Sequence, residues 1–414
     1  MPTPLKTSAR HSAANQCSMR LALVLILPML LVGLLVDWYI VRAVWRRCPA
    51  VRRFWRPFAL WSSVLCQIGA IVAVCWPKRA GGDGELLALM WILYSYLSVY
   101  LPKAIFCIID LAGKIPALFG RKRLRGFASA GIALALLCFG FMWWGALVNR
   151  YNVDVREVAF SDSRLPDSFD GLRVAQISDL HVGSYGTDTA FVSRLVDAVN
   201  ALNPDVVVFT GDIVNRRSTE LLPFVQPLSR LKAPMGVYSV LGNHDYGDYY
   251  NWPDSAAKEA NLRQLVNLQD DMGWDLLLNR TAWLRRGEDS LALVGVENVG
   301  DPPFHCYGDL ETAYPGDLAD PAFKILLSHN PAHWTMDIED SPDKNIPLTL
   351  SGHTHAMQMS AFGLSPAAFR YPTWGGMYAD GDAHSLYVNI GAGEVGIPAR
   401  IGATPEITLF TLSK

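Results

Sequence analysis

Cysteine is nearly missing from the larger part of this 414-residue chain: of seven cysteines, only Cys306 lies beyond residue 150. That part cannot close an internal disulfide, and cysteine usage does not assign its redox compartment. Acidic residues are scarce in the other part. Residues 1–150 carry 4 Asp/Glu against 18 Lys/Arg, and the remainder carries 34 against 18. The formal charge of −2 is thus the sum of +14 and −16. So acidic a C-terminal part repels polynucleotide phosphates over most of its surface, which argues against a nucleic-acid partner. Long apolar runs stop near residue 150, and the chain shows neither an internal repeat nor a low-complexity segment.

Residues 1–20 are polar, with scattered small residues, and read as a disordered tail. Four apolar stretches follow, Leu21–Val41, Phe58–Trp76, Leu86–Ile109 and Phe127–Val148. Each has about the 20 residues that a spanning helix needs. Trp38, Tyr39, Trp76, Trp91, Trp143 and Trp144 gather near their ends, as at a membrane interface. A cleaved signal peptide fits the first stretch poorly, because it is long, lacks a small-x-small site and is followed by three more spans. The segments also lack the polar stripe of a soluble helix bundle. Arg42, Arg46, Arg47, Arg52, Arg53 and Arg56 follow the first span, and Lys114, Arg121, Lys122, Arg123 and Arg125 follow the third. By the positive-inside rule both segments are cytoplasmic, so everything after Val148 is expected outside the cytoplasm of a multi-pass inner (plasma) membrane protein. Lys103 and Asp110 lie near the cytoplasmic end of the third span, where snorkelling is the simplest expectation.

Beyond Arg150 strands alternate with helical patterns. Val153–Phe160 opens as a strand and Glu406–Leu412 closes as one, with shorter strands near Thr281–Leu284 and Leu291–Val296. Helices are expected from Thr187 or Asp188 to Asn200, over Thr219–Leu231 and over Asp254–Met272. They would cover both faces of a central sheet.

Five short apolar runs end in polar residues of a particular kind. Arg173–Ser178 runs into Asp179-Leu180-His181, and Val206–Thr210 into Gly211-Asp212. Val237–Leu241 runs into Gly242-Asn243-His244-Asp245, Lys324–Ser328 into His329, and Leu348–Ser351 into Gly352-His353-Thr354-His355. Runs this short and β-branched read as buried parallel strands, and glycine permits the sharp turn at their ends. Ligands bind at such C-terminal strand edges in open α/β sheets. Five of the nine histidines fall there. Asp179, His181, Asp212, Asn243, His329, His353 and His355 are the candidate metal ligands, with His244 left over. A mixed Asp, His and Asn set suits Mn, Fe or Zn better than Mg or Ca. Two such ions neutralise phosphate oxygens and convert water to hydroxide at neutral pH. Asp179/His181 and His353/His355 are two apart, so on an extended backbone both members would face the same way.

In this order, Asp-x-His, Gly-Asp, Gly-Asn-His-Asp, a lone His and Gly-His-x-His resemble the motifs of calcineurin-like metallophosphoesterases. The ending Gly391-Ala392-Gly393-Glu394-Val395-Gly396-Ile397-Pro398-Ala399-Arg400, closed by Pro405–Leu409, is similar to the membrane-associated bacterial branch. The resemblance covers residues 170–413 and implies a four-layer α/β/β/α sandwich, here preceded by four transmembrane helices. It implies one metal on Asp179, His181 and His355, another on Asn243, His329 and His353, and Asp212 between them. His244 would hydrogen-bond the phosphate and protonate the leaving oxygen. Asp245, placed with it among the catalytic residues, would orient or support that motif.

The expected organisation is a tail over 1–20, a membrane domain over 21–149 and a phosphoesterase domain over 150–414. The expected activity is hydrolysis of a phosphodiester, phosphomonoester or diphosphate by metal-bound hydroxide attacking in line, on a lipid-linked or bilayer-proximal substrate. Two alternatives stand beside it. One is a UDP-2,3-diacylglucosamine diphosphatase-like enzyme of lipid A synthesis, a cytoplasmic reaction that conflicts with the topology above. The other is a non-catalytic metal-binding scaffold, disfavoured because all seven ligand candidates and His244 are present.

In that branch Gly-Gly-Gln follows the last motif, whereas here Ala356-Met357 precede Gln358, which bears on the pocket rim. The aromatic and glycine-rich segment Ala361–Asp382 reads as a substrate-facing loop. His305, His333 and His384 read as structural. Arg370 and Arg400 either clamp a substrate anion or are paired within the fold. Tyr246, Tyr249, Tyr250 and Trp252 either line a groove or pack a loop.

Overall fold

A computed structural model describes residues 27–43, 49–76, 81–301, 304–314, 316–381 and 383–414. The tail expected over 1–20 and the first residues of the first apolar stretch lie outside the described residues. The chain divides into two compact units, Met1–Trp144 and Gly145–Lys414.

The first unit is helical. Helix α1 covers residues 27–43, α2 Pro49–Cys75, α3 Asp83–Ala112, and α4, Gly126–Leu147, runs on into the second unit. Helix α2 begins well before the apolar stretch expected at Phe58, so Arg52, Arg53 and Arg56 lie on helical backbone and not in a loop. Among the described residues, Asp83–Ala112 and Gly126–Tyr151 are long and apolar enough to cross a membrane. Lys103 and Asp110 are not simply snorkelling. Lys103 Nζ lies 2.8 Å from Asp37 Oδ1, and Tyr100 donates to Asp37 Oδ2 at 2.7 Å. Asp110, fully buried, pairs with Arg123 and with Lys114 and accepts from Tyr39 at 2.5 Å. Helices α1 and α3 are therefore tied by one ion pair and by tyrosine hydrogen bonds to Asp37 and Asp110, in a medium that disfavours unpaired charge.

The second unit holds two six-stranded sheets, the two inner layers of the α/β/β/α sandwich that the resemblance implies, where the alternation of strands and helices alone suggested one central sheet. The strands are β1 Asp154–Ser161, β2 Arg173–Ile177, β3 Val206–Phe209, β4 Val237–Ser239, β5 Asp275–Leu276 and β6 Arg280–Arg286. They continue with β7 Asp289–Gly295, β8 Lys324–Leu327, β9 Leu348–Ser351, β10 Gly376–Asp380, β11 His384–Val388 and β12 Glu406–Ser413. The first sheet has the order β1-β12-β2-β3-β4-β5 and the second β10-β11-β9-β8-β7-β6. In the first, β12 pairs antiparallel with β2, and β2, β3, β4 and β5 are mutually parallel. In the second, β7, β8, β9 and β11 run parallel between antiparallel β6 and β10.

Alternation along each strand separates the layers. Val206 and Val208 point into the core between the sheets, with Ile325, Leu327, Leu348, Leu350 and Phe410. Val207 and Phe209 point the other way, against Phe191, Leu195 and Val199 of α5 (Ala190–Ala201) and Leu265 and Leu268 of α6 (Ser255–Asp271). Leu326, Leu386 and Val388 bury against Trp334 and Ile338 on the far side of the second sheet. The expected helix over Thr219–Leu231 is instead a 3₁₀ segment, Ser218–Phe224, followed by the single turn Val225–Leu228. Pro223 and Pro227 each remove a backbone donor there and prevent a regular helix. The segment Ala361–Asp382 is not all loop, since its end forms β10, paired with β11.

Candidate metal centre

The five strands β2, β3, β4, β8 and β9 all end at one edge, and the residues just beyond them converge. Asp179, His181 and His355 bring one ligand atom each within 4.8 Å of one another, and so do Asp212, His329 and His353. In the first cluster His181 Nε2 is 3.0 Å from His355 Nε2, which is 3.2 Å from Asp179 Oδ1. In the second, His329 Nε2 is 3.2 Å from Asp212 Oδ2 and 3.2 Å from His353 Nδ1. Asn243 Oδ1 joins it, 2.9 Å from His353 Nδ1 and 3.2 Å from His329 Nε2. Asp212 Oδ2 also lies 3.5 Å from His181 Nε2, so one carboxylate faces both clusters.

The backbone achieves this by turning, not by staying extended. Asp179, His181, Asp212, His353 and His355 all have positive φ, between 43° and 74°. Such a conformation costs a non-glycine residue about 1–2 kcal/mol, and strain of this kind concentrates at functional sites. The turns explain why His353 and His355 enter different clusters despite their spacing of two. Glycines permit the close approaches. A Cβ at Gly242 would stand 2.2 Å from Asp212 Oδ1, and one at Gly352 would stand 2.0 Å from Ser178 Oγ and 2.3 Å from Asp179 Oδ2.

Further groups orient the ligands. His329 Nδ1 lies 2.7 Å from Thr210 O, which requires a proton on Nδ1 and aims Nε2 at the cluster. His353 Nε2 is 3.0 Å from the Tyr371 hydroxyl. Asn243 donates its amide to Tyr249 at 2.9 Å, which leaves Oδ1 facing the two imidazoles. His244 Nδ1 is 2.7 Å from Asn215 O, and its ring stacks on Tyr249 with centroids 4.2 Å apart. Asp245 stands behind the site and outside both clusters. It accepts backbone N–H bonds from Asp212, Ile213, Val214 and Gly242 at 2.9–3.2 Å.

The charge states suit cation binding. Burial opposes ionisation of Asp179 and Asp212, yet the facing imidazoles, His355 and His329 respectively, hold both carboxyls below the usual range. Burial depresses His181, and it takes His353 down to about 4, keeping these imidazoles neutral. Burial also lowers His355, against the pull of Asp179. His329 is the exception: burial works to lower it, but Asp212 outweighs burial and raises it to about 9. Buried carboxylates and imidazoles aimed at common points are the donor chemistry of a transition-metal site.

The other residues singled out in the sequence find structural partners. Arg370 pairs with Asp301. Arg400 is fully buried and donates to Ile390 O and Gly393 O at 2.7 Å, with Nη2 3.2 Å from His355 Nδ1. It therefore props the ligand loop from behind and offers nothing to a substrate. Tyr246 is buried, stacked on Tyr307 with centroids 3.9 Å apart. His333 and His384 are buried with both ring nitrogens partnered, and His305 is exposed. Tyr371 had no sequence signal, since nothing local marks which phenol of an aromatic segment meets a histidine.

Comparison with known proteins agrees with this geometry. Residues 172–357 match the family model for calcineurin-like phosphoesterases, and residues 19–150 match a model described as a probable calcineurin-like phosphoesterase transmembrane domain. A transmembrane protein with metallophosphoesterase domain from Danio rerio is 31% identical over 409 residues, 95% of this chain and 89% of that protein. The chain belongs to the calcineurin-like metallophosphoesterase family. Another relative of this metallophosphoesterase, YkuE of Bacillus subtilis, is 31% identical over 302 residues, 70% of this chain and 96% of that one. The UDP-2,3-diacylglucosamine pyrophosphatase LpxG of Chlamydia trachomatis is 28% identical over 283 residues, 56% of this chain and 80% of that one. The chain is thus a metal-dependent phosphoesterase with an N-terminal transmembrane domain.

Proposed function

We propose that this metallophosphoesterase hydrolyses a phosphodiester, phosphomonoester or diphosphate bond in a lipid-linked or membrane-proximal substrate, at a two-metal centre. The observation that carries the reading is Asp212, whose Oδ2 lies 3.2 Å from His329 Nε2 and 3.5 Å from His181 Nε2. One carboxylate shared between two ligand sets is what a dinuclear site requires. Asp179, His181 and His355 would hold one ion, Asn243, His329 and His353 the other, and Asp212 would serve both. The donor set favours Mn, Fe or Zn. When bound, such a pair neutralises the phosphoryl oxygens and makes water a nucleophile at neutral pH.

Groups of the chain itself do the rest. The bond from His244 Nδ1 to Asn215 O leaves Nε2 to hydrogen-bond the phosphate and deliver a proton to the leaving oxygen. Tyr249 holds the His244 ring by stacking and the Asn243 amide by its hydroxyl. Asp245 acts through the backbone, keeping the Asp212 and Asn243-His244 turns in register. The organisation that fits is a tail over 1–20, a membrane domain over 21–149 and the phosphoesterase domain over 150–414. The basic segments Arg42–Arg56 and Lys114–Arg125 support a phosphoesterase domain outside the cytoplasm.

A second reading, hydrolysis of a UDP-2,3-diacylglucosamine-like diphosphate, is favoured by the LpxG relative. It would need the domain on the cytoplasmic side. The test uses full-length protein in detergent, stripped of metal and given back Mn, Fe or Zn. Metal-dependent turnover of a chromogenic phosphodiester or monoester, lost in Asp212→Ala and His244→Ala, is expected. Folded protein that binds two metals yet hydrolyses neither these esters nor a lipid diphosphate would leave only the scaffold. A C-terminal reporter active solely in the cytoplasm would overturn the sidedness and advance the diphosphatase reading.

A further inference from the structure

Between the ligand His355 and Tyr371, the chain makes an excursion that the metal centre does not explain. Ala356, Met357 and Gln358 all have positive φ, at 50°, 46° and 57°. The chain then closes a two-residue hairpin, in which Ala361 and Leu364 exchange backbone hydrogen bonds of 2.9 and 3.0 Å. Phe362 and Gly363 form its tip, at φ 53° and 75°. Two positive values in succession make a tight hairpin turn for which Asn-Gly or Asp-Gly is the usual choice. Phenylalanine is a costly residue there, and it packs against nothing, being 105% exposed. Leu364 is 75% exposed and Phe369, after a single 3₁₀ turn, 97%. Met357, at 44%, extends the same apolar run. Strain retained to present bare aromatic and aliphatic side chains points to something outside the fold.

The occupant is indicated by what the hairpin's stem touches. Ile401 N donates to Gln358 O at 2.8 Å, and Ser360 N donates to Ile401 O at 2.9 Å. On the other side of this strip, Arg400 N donates to Gly145 O at 3.2 Å and Asn149 Nδ2 donates to Arg400 O at 2.9 Å. Gly145 and Asn149 belong to the end of the apolar helix Gly126–Tyr151. At the usual spacing of neighbouring extended segments, the stem is within about 10 Å of where the chain leaves the bilayer. Arg370, Tyr371 and Trp374 follow Phe369, and such residues settle at headgroup level.

We propose that residues 357–371 form an interfacial docking element that inserts Phe362, Leu364 and Phe369 into the lipid bilayer. The element ends at the metal centre, where the Tyr371 hydroxyl lies 3.0 Å from His353 Nε2. It brings the mouth of the site to the headgroup layer, so the substrate is an amphiphile that presents its phosphate from the membrane. That last statement rests on the phosphoesterase reading; the insertion itself does not.

The test reconstitutes full-length protein in vesicles of phosphatidylethanolamine and phosphatidylglycerol, with a trace of phosphatidylcholine carrying a diazirine in its acyl chain. After illumination and digestion, lipid adducts are expected on peptides within 357–371 as well as on the apolar helices. Adducts confined to residues before Tyr151 overturn the proposal. Combining Phe362→Ser, Leu364→Ser and Phe369→Ser should lower the adducts within 357–371 about tenfold and leave those on the helices unchanged. In the same vesicles the triple variant should hydrolyse bis(p-nitrophenyl) phosphate at the wild-type rate, because that soluble ester needs no bilayer contact. Loss of this activity while the adducts persist would make the segment part of the catalytic machinery and sink the docking role. A wild type that hydrolyses nothing would instead count against the phosphoesterase reading and leave the adduct map to stand.

Discussion

In the first unit the exposed side chains include Leu31, Leu35, Leu65, Ile108, Leu136 and Leu137, while Tyr94, Ser98 and Asp110 are among the buried ones. In the second unit Val206–Phe209 and Leu348–Leu350 are buried, and the large exposed apolar residues are scattered except over 357–369. The same residue types have changed places because the surroundings differ. Lipid tails reward outward leucines and leave polar groups to find one another within the bundle, whereas water rewards the reverse. Both units nevertheless keep carboxylates away from solvent, Asp37 partly and Asp110, Asp179 and Asp212 almost wholly buried. Asp37 and Asp110 meet Lys103, Arg123, Lys114 and tyrosines from neighbouring helices. Asp179 and Asp212 meet imidazoles aimed at common points. The first arrangement pairs charge between helix segments; the second is a candidate site for cations.

The contrast breaks most visibly at Asp212. Asp212→Ala should lower turnover of a chromogenic phosphodiester by about 10³-fold or more, with bound metal falling in elemental analysis, because both ligand sets lose a donor. Unchanged turnover and metal content would refute the shared-carboxylate geometry. Gly352→Ala should come next, since its Cβ would meet Ser178 Oγ and Asp179 Oδ2 within 2.3 Å. A loss of about 2–3 kcal/mol is expected, seen as a lower unfolding temperature, with weaker metal binding at the Asp179 cluster.

In the membrane unit, Asp37→Leu leaves Lys103 without its ion-pair partner in the low-dielectric interior. With both groups partly exposed, the cost should be about 1–3 kcal/mol. Adding Lys103→Met should recover most of it without affecting turnover. A double variant no more stable in detergent than the single one would show that the pair does not set the register. The smallest effect is expected at Met357, whose φ is 46°. Met357→Gly relieves about 1 kcal/mol of strain but adds a similar entropy cost, so unfolding should shift by under about 1 kcal/mol. A large destabilisation would mean that the methionine side chain holds the stem.

Much of the catalytic unit was legible because its signals are local. Each candidate ligand follows a short buried strand and a tight turn, so Asp179, His181, Asp212, Asn243, His329, His353 and His355 can be picked out one strand at a time. The helix over Ser255–Asp271 was legible for a similar reason, its start marked by Asp254, which caps Ala257 N at 2.7 Å. What escaped depends on pairing between distant segments. All the parallel strands look alike, so nothing local divides them between two sheets. Strand β10 alternates weakly and is stabilised by its partner β11, not by its own composition. Tyr371 and Arg400 reach His353 and His355 across 18 and 45 residues of chain.

The sequence by itself therefore determined the transmembrane and phosphoesterase parts, the candidate ligands at the strand ends and the family, since periodicity, turn chemistry and side-chain type are written residue by residue. Tertiary structure alone decided which strand joins which sheet, that positive-φ turns send His353 and His355 to different clusters, and that Lys103 pairs with Asp37. It also set a bare aromatic hairpin beside the end of the last apolar helix. Each of these depends on which segments meet in space, and a single chain of side-chain preferences leaves that open until the core closes.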